Sequence, residues 1–195
     1  MSHSHRKARI EIGFDVGSTS VKAVAKAEGE DLILWSDYRR HETRQAGTAL
    51  AFLRRMEKDL GATAGHTRVH LTGSGSSGLA QYIGGRYVQE VNAVSLAVER
   101  MYPDVHSVIE LGGQDAKILL FQEQEGSSRR KRMASMNDKC AGGTGAVLDK
   151  IGAKLNIPAD RLCHQRYCGY SIHRVAGKCG VFAESDINGL QKQGV

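Results

Sequence analysis

The hydrophobic pattern of this chain predicts the same order of elements twice over, and few folds accommodate such a repeat. In the first round, Ile10, Ile12 and Phe14 alternate with Glu11 and Gly13, a period-2 strand that ends at Asp15. A small-residue turn, Gly17-Ser18-Thr19, follows. Val21, Ala23 and Ala25 then alternate again, so the two runs form a hairpin. Residues 32–35 read as a third strand, and Leu50, Leu53, Met56 and Leu60 give helical spacing over 48–60. A short strand at 69–71 closes on Thr72-Gly73, and a helix over 90–101 is stopped by Pro103. The order then restarts: a strand over 105–111, the turn Gly112-Gly113, a second strand over 116–121, and the basic segment 130–135 as a third. Val147, Leu148, Ile151 and Leu155 place a helix over 145–155. No residue-level repeat accompanies this repeat of elements. The expectation is an α/β protein of two units, 9–104 and 105–195, behind a disordered stretch at 1–8.

Composition narrows the class. A chain of 195 residues that is 41% apolar with 23 glycines is long enough for a buried core and rich in tight turns. No run approaches the roughly 18 apolar residues of a membrane span, and no membrane partner is expected. The basic start has no apolar region behind it, so no secretory signal is predicted. The expected location is the cytoplasm, where four cysteines point to metal binding or catalysis rather than disulfides. The net charge of +6 owes much to Arg129-Arg130-Lys131-Arg132. Without interleaved aromatic residues for base stacking, that run reads as a solvated strand edge, and no nucleic-acid partner is expected.

Each round places a small-residue turn after a strand that ends in an acid: Asp15-Val16-Gly17-Ser18-Thr19 and Glu110-Leu111-Gly112-Gly113-Gln114-Asp115. Glycine lets backbone N–H groups approach phosphate oxygens with no Cβ in the way. Ser18 and Thr19 add hydroxyl donors, and Asp15 suits Mg²⁺ held through water. Either turn alone is a common hairpin; paired, they point to a cleft that grips a polyphosphate from both sides. Gly73-Ser74-Gly75-Ser76-Ser77-Gly78 fits a GxGxxG pattern, but a dinucleotide site needs an acid about 20 residues on at a strand end. Glu99 lies inside a predicted helix, so the segment is expected to be a flexible loop lining the same cleft. No GxxxxGK[ST] occurs, which excludes a P-loop.

Two cysteines sit just before helical runs. Cys140 opens Cys140-Ala141-Gly142-Gly143-Thr144-Gly145, and Cys179 follows 39 residues later in Gly177-Lys178-Cys179-Gly180-Val181-Phe182-Ala183-Glu184-Ser185. A thiol at a helix mouth meets unpaired N–H groups and the positive end of the dipole, both of which favour the thiolate. Cys163 and Cys168, with His164 and His173, could complete a zinc site, although C-x4-C without a paired C-x2-C matches zinc spacings poorly. As ordinary core or loop residues they need no ligand.

With both turns and both cysteine motifs identified, the chain resembles the ATPase activators of 2-hydroxyacyl-CoA dehydratases and the related ATPase subunits of benzoyl-CoA reductases. These lie within the superfamily of acetate and sugar kinases and actin. The resemblance covers nearly the whole chain from Ile10. It implies two ribonuclease-H-like subdomains around a nucleotide cleft, with ATP and Mg²⁺ bound by Asp15, Gly17, Ser18, Thr19, Gly112, Gly113 and Gln114. Thr144 and Gly145 would line the cleft, and Asp15, Glu110 and Gln114 would take catalytic roles. Asp115, Lys22 and Lys117 are secondary candidates. It also implies a [4Fe–4S] cluster: Cys140 and Cys179 supply only two of the four thiolates needed, so the ligand set is completed across a homodimer. An electron would come from ferredoxin or flavodoxin, and ATP would drive its transfer to a dehydratase or related CoA-thioester enzyme by rotating the subunits. In two respects the chain departs from the family. Glu110 stands where the superfamily more often has aspartate. The sequence also ends at Gly194-Val195, before the adenosine-binding segment and closing helix of family members, so the second subdomain is expected to be truncated. The rival functions are a small-molecule kinase of the same superfamily and a non-enzymatic zinc- or nucleotide-binding module.

Overall fold

Strands β1 (Ile10–Val16) and β2 (Ser20–Ala27) pair antiparallel with Val16 opposite Val21, Phe14 opposite Ala23 and Ile12 opposite Ala25. All six side chains are therefore on one face of the hairpin, and all six are buried. The computed structural model describes residues 9–124, 130–137, 144–177 and 179–195; the expectation of a disordered 1–8 lies outside them. The chain divides into two compact units, Met1–Pro103 and Asp104–Val195.

In the first unit β3 (Ile33–Arg40) extends the hairpin on one side. Strand β4 (Thr67–Thr72) pairs parallel with β1 on the other, followed by the short β5 (Arg86–Tyr87), giving the order β3-β2-β1-β4-β5. Helix α1 (Gln45–Leu60) crosses the apolar face and buries Ala49, Phe52 and Met56. The Trp35 ring meets Phe52 edge-on at 5.5 Å, and its indole N–H donates to Asp59 at 3.2 Å. Gly61, at φ 65°, ends α1 in the left-handed conformation that glycine adopts without strain. Helix α3 (Glu90–Met101) closes the unit.

Two differences from the sequence expectations have physical causes. β3 runs to Arg40 rather than stopping at Trp35: it is an edge strand, and the ladder with β2 continues through polar residues that need no burial. The segment expected to be a flexible loop at 73–78 is instead half turn and half helix, with α2 spanning Ser76–Ile83. Ala80 is buried and Leu79 and Ile83 pack against the core, so apolar spacing beyond Gly78 commits the segment to helix.

The second unit opens as an antiparallel meander of β6 (Ser107–Leu111), β7 (Ala116–Gln122) and β8 (Lys131–Asn137). Leu119 and Phe121 are buried on one face. Arg130 stacks its guanidinium over Phe121 at 5.0 Å and donates to the Val105 carbonyl at 2.8 Å, so part of the basic run serves the sheet itself. Helices α4 (Gly145–Lys154), α5 (Ala159–Cys163) and α6 (Gly180–Lys192) follow. No described helix is long and apolar enough to cross a membrane.

Phe52 joins α1, Trp35 and the sheet with no exposed surface. Phe52→Ala should cost the first unit about 3–5 kcal/mol. Denaturant unfolding followed by the fluorescence of Trp35, the single tryptophan, should show a midpoint shifted to lower denaturant.

Candidate functional site

Asp15 lies one residue before the end of β1, and strand alternation puts it on the face opposite the α1 core. Its register partner on β2 is Lys22, whose ammonium is 2.7 Å from Oδ2. The turn between them is closed by the Gly17 N–H donating to the Ser20 carbonyl at 2.9 Å, with Ser18 and Thr19 half-buried at its tip. Behind the turn sits His41, only 5% exposed, with Nε2 3.2 Å from the Gly17 carbonyl oxygen.

The loop after β4 braces the same acid. Gly73 has φ 96°, and a Cβ there would be 2.5 Å from both Asp15 Oδ1 and the Val16 carbonyl oxygen, so no other residue fits without displacing the carboxylate. Thr72 is opposite Asp15 in the parallel register, and its Oγ1 is buried without a hydrogen-bond partner among the described residues. A cavity of about 290 Å³ opens on this face, lined by Asp15, Lys22, His70, Thr72, Val88 and Ala93. A half-exposed carboxylate beside an orphaned hydroxyl is an all-oxygen donor set, the kind Mg²⁺ takes while keeping several waters.

In the second unit Glu110 on β6 is the register partner of Lys117 on β7. The ammonium of Lys117, whose side chain is 3% exposed, is 3.6 Å from Oε1, while the buried Oε2 has no partner among the described residues. The Gly112 N–H closes the turn on the Asp115 carbonyl at 2.8 Å, and Gln114 stands exposed at its tip. Helix α4 is fastened directly to this turn: Gly145 N–H donates to the Gly112 carbonyl at 2.9 Å and Ala146 N–H to that of Gly113 at 3.1 Å. The N–H groups of Val147 and Leu148 turn back to the carbonyl of Thr144, which is buried. All four N-terminal amides of α4 are thus taken, and among the described residues no free donor remains at this helix mouth. Cys140 itself lies outside the described residues.

Cys179 is the N-cap residue of α6, half-buried, with its carbonyl accepting the Ala183 N–H at 2.9 Å. No described backbone carbonyl accepts from the N–H groups of Gly180, Val181 or Phe182, the first amides of the helix that Cys179 caps. Cys163 and Cys168 are exposed free thiols, and His164 Nδ1 sits 2.6 Å from the Asp160 carbonyl oxygen. Among the described residues no three His, Cys, Asp or Glu side chains converge on a point that would hold a metal. The two helices are tied by Glu184 of α6, which binds Lys150 at 2.6 Å and Lys154 at 3.2 Å on α4. Of the residues that shape these sites, His41 carried no sequence signal, being one of eight histidines outside any motif. Gly73 and Glu184 were visible inside motifs whose spacing did not disclose their partners.

A model of the BadF/BadG/BcrA/BcrD ATPase family matches residues 12–195. The chain is 29% identical over 181 residues to the 2-hydroxyisocaproyl-CoA dehydratase activator of Clostridioides difficile, covering 90% of this chain and 64% of that protein. Among solved structures it superposes on component A of the (R)-2-hydroxyglutaryl-CoA dehydratase of Acidaminococcus fermentans with a TM-score of 0.80 and 25% identity, over 96% of this chain and 70% of that one. The activator of the 2-hydroxyisocaproyl-CoA dehydratase from Clostridium difficile with bound ADPNP gives a TM-score of 0.77 at 27% identity, over 95% and 67% of the two chains. The fold is therefore the α/β fold of the activator ATPases, of actin and sugar-kinase type.

The ammonium of Lys150, with that of Lys154, holds the Glu184 carboxyl below its ordinary value of 4.5. A lowered value in the folded state means stability that is present above pH 4.5 and is lost as the pH falls through the folded-state value. Glu184→Gln should lower the melting temperature of the second unit at pH 7. Scans repeated toward pH 3 should show the difference from the parent chain closing.

Proposed function

The chain belongs to the BadF/BadG/BcrA/BcrD ATPase family, and on that premise we propose that it is the ATP-driven activator of a 2-hydroxyacyl-CoA dehydratase or a related CoA-thioester enzyme. Two similar proteins carry activator names, and a third relative is named an activating ATPase. The chain spans about two thirds of their length, so substrate and partner are inferred for the protein as a whole. The observation that carries the proposal lies within the second unit: the carbonyls of the Gly112-Gly113 turn hold the first amides of the helix that follows Cys140 in sequence. A movement of the turn is thereby a movement of the cysteine-proximal helix.

The two units, in this proposal, are the two ATPase subdomains, each contributing one phosphate turn. Asp15 would hold Mg²⁺, which would neutralise phosphate charge there, and Lys22, which pairs with that carboxylate at 2.7 Å, would then be available to the phosphates. The turns Gly17-Ser18-Thr19 and Gly112-Gly113-Gln114 cradle the phosphate oxygens through the N–H groups not used to close the turns and the hydroxyls of Ser18 and Thr19. The Oε2 of Glu110, which has no partner among the described residues, would accept a proton from an attacking water, with Lys117 beside the other oxygen. Thr144 and Gly145 transmit the state of the turn to α4.

Cys179 and Cys140 would hold one [4Fe–4S] cluster together with the same two residues of a second copy, because four thiolates are required. When bound, such a cluster supplies one electron at a time, received from a ferredoxin or flavodoxin in the cytoplasm. The chain's own contribution at Cys179 is a thiol at the head of α6, whose first amides have no backbone acceptor among the described residues.

Anaerobic purification with iron and sulfide analysis tests this directly. The expected product is a brown, oxygen-labile dimer with about two irons per chain. Colourless protein after reconstitution with iron and sulfide, combined with phosphoryl transfer to a small molecule, would point to the kinase instead. Cys179→Ala should remove the iron and leave nucleotide binding intact, whereas Cys163→Ala should keep both. Asp15→Asn should weaken Mg²⁺-nucleotide binding about tenfold or more, the loss expected for a contact to a charged group, without changing iron content.

A further inference from the structure

We infer that His41 is a positioning residue for the first phosphate turn, fixing its peptide planes so that the Ser18 N–H points outward as a phosphate donor. The imidazole makes two polar contacts that together select its tautomer. The Thr43 backbone N–H donates to Nδ1 at 3.0 Å, which leaves Nδ1 as the unprotonated nitrogen. Nε2 then carries the proton and donates it to the Gly17 carbonyl at 3.2 Å. The backbone N–H of His41 adds a third tether, donating to the Thr19 carbonyl at 3.2 Å. The residue is 5% exposed, so these bonds are made away from competing water.

A trans peptide is planar, with its C=O and N–H pointing in opposite directions. Holding the Gly17 carbonyl against His41 therefore turns the Ser18 N–H to the opposite side. No described backbone carbonyl accepts from that N–H. The cost of this arrangement is visible in the neighbouring chain. Glu42 and Thr43 have φ of 47° and 69°, two successive non-glycine residues in the left-handed region, and Thr43 is β-branched. Arg44 N–H to the His41 carbonyl, at 2.7 Å, and the bond to Nδ1 hold them there. A histidine that merely closed its own loop would need Nδ1 alone. The contact from Nε2 to Gly17 reaches 24 positions back, into the turn.

The inference rests on the proposal that this turn binds phosphate, and two conservative variants separate the two ideas. Asparagine can present an acceptor where Nδ1 is, keeping the Thr43 contact but not reaching Gly17. Glutamine can present an N–H where Nε2 is, keeping Gly17 and losing Thr43. In the full chain without nucleotide, amide exchange of Gly17, whose N–H closes the turn, should accelerate about fivefold in His41→Asn, the loss expected for one hydrogen bond, and stay near the parent rate in His41→Gln. Calorimetric titration with Mg²⁺-ADP should follow the same order: weaker by about fivefold in His41→Asn, retained in His41→Gln. Equal effects of the two variants on Gly17 exchange, or none from either, would overturn the role of His41. Absence of Mg²⁺-ADP binding in the parent chain would count against the phosphate site instead, and Gly17 exchange would still decide the role of His41. Nitrogen-15 NMR of the parent imidazole gives a check that needs no variant: a proton on Nε2 supports the inference, and one on Nδ1 overturns it.

Discussion

The period of two along β1 is the constraint on which the first unit depends. Ile10, Ile12, Phe14 and Val16 fill one face, so Glu11, Gly13 and Asp15 must occupy the other. The antiparallel register with β2 then decides which side chains share that second face, and it delivers Lys22 to Asp15. A shift of one residue would bury the acid against Phe52 and expose the core. The Asp15–Lys22 pair is therefore a consequence of core formation, and needs no dedicated machinery to assemble it.

The two units hold their glycine turns by different physical means. In the first, a buried side chain and a close-packed glycine do the holding: His41 grips two carbonyls of the turn through side chain and backbone, and Gly73 presses on Asp15 and Val16. In the second, a helix does it, since α4 begins on the carbonyls of Gly112 and Gly113. Side-chain bracing fixes a turn in place. Fastening to a helix makes the turn and the helix one body, which is what a unit carrying a cysteine ahead of each of two helices can use.

Alternation and helical spacing made the strands and long helices legible, because those periods record burial directly. β1, β2, α3 and the three strands of the second unit lie within a few residues of their expected places. Edge-strand length was not legible, since the polar end of β3 is held by backbone pairing that leaves no hydrophobic trace. Nor was α2, where glycines masked a helix start, with Ser76 donating its hydroxyl to the Thr72 carbonyl. Among the site residues, Asp15 and the turn glycines were marked by position after a strand. The pairing of Lys22 with Asp15 became definite only with the register, and His41 only with three dimensions. The pairing of the first amides of α4 was not legible for a related reason: the acceptors of Gly145 and Ala146 lie about thirty positions earlier in the chain.

Helix α4 has ten residues, a rod of about 15 Å. Its first turn is pinned to Gly112 and Gly113, while Lys150 and Lys154, further along, grip Glu184 on α6. Tilting such a rod by roughly 10° about its pinned end displaces the far end by about 2.5 Å, given a rise of about 1.5 Å per residue. That displacement is comparable to the length of the ion pairs themselves, 2.6 and 3.2 Å. The long, exposed lysine side chains can follow part of that motion, and to the extent that the pairs hold, α6 travels with α4, carrying Cys179 at its head. The second unit thus has the mechanics of a crank, with its axle at a glycine turn and its throw set by helix length.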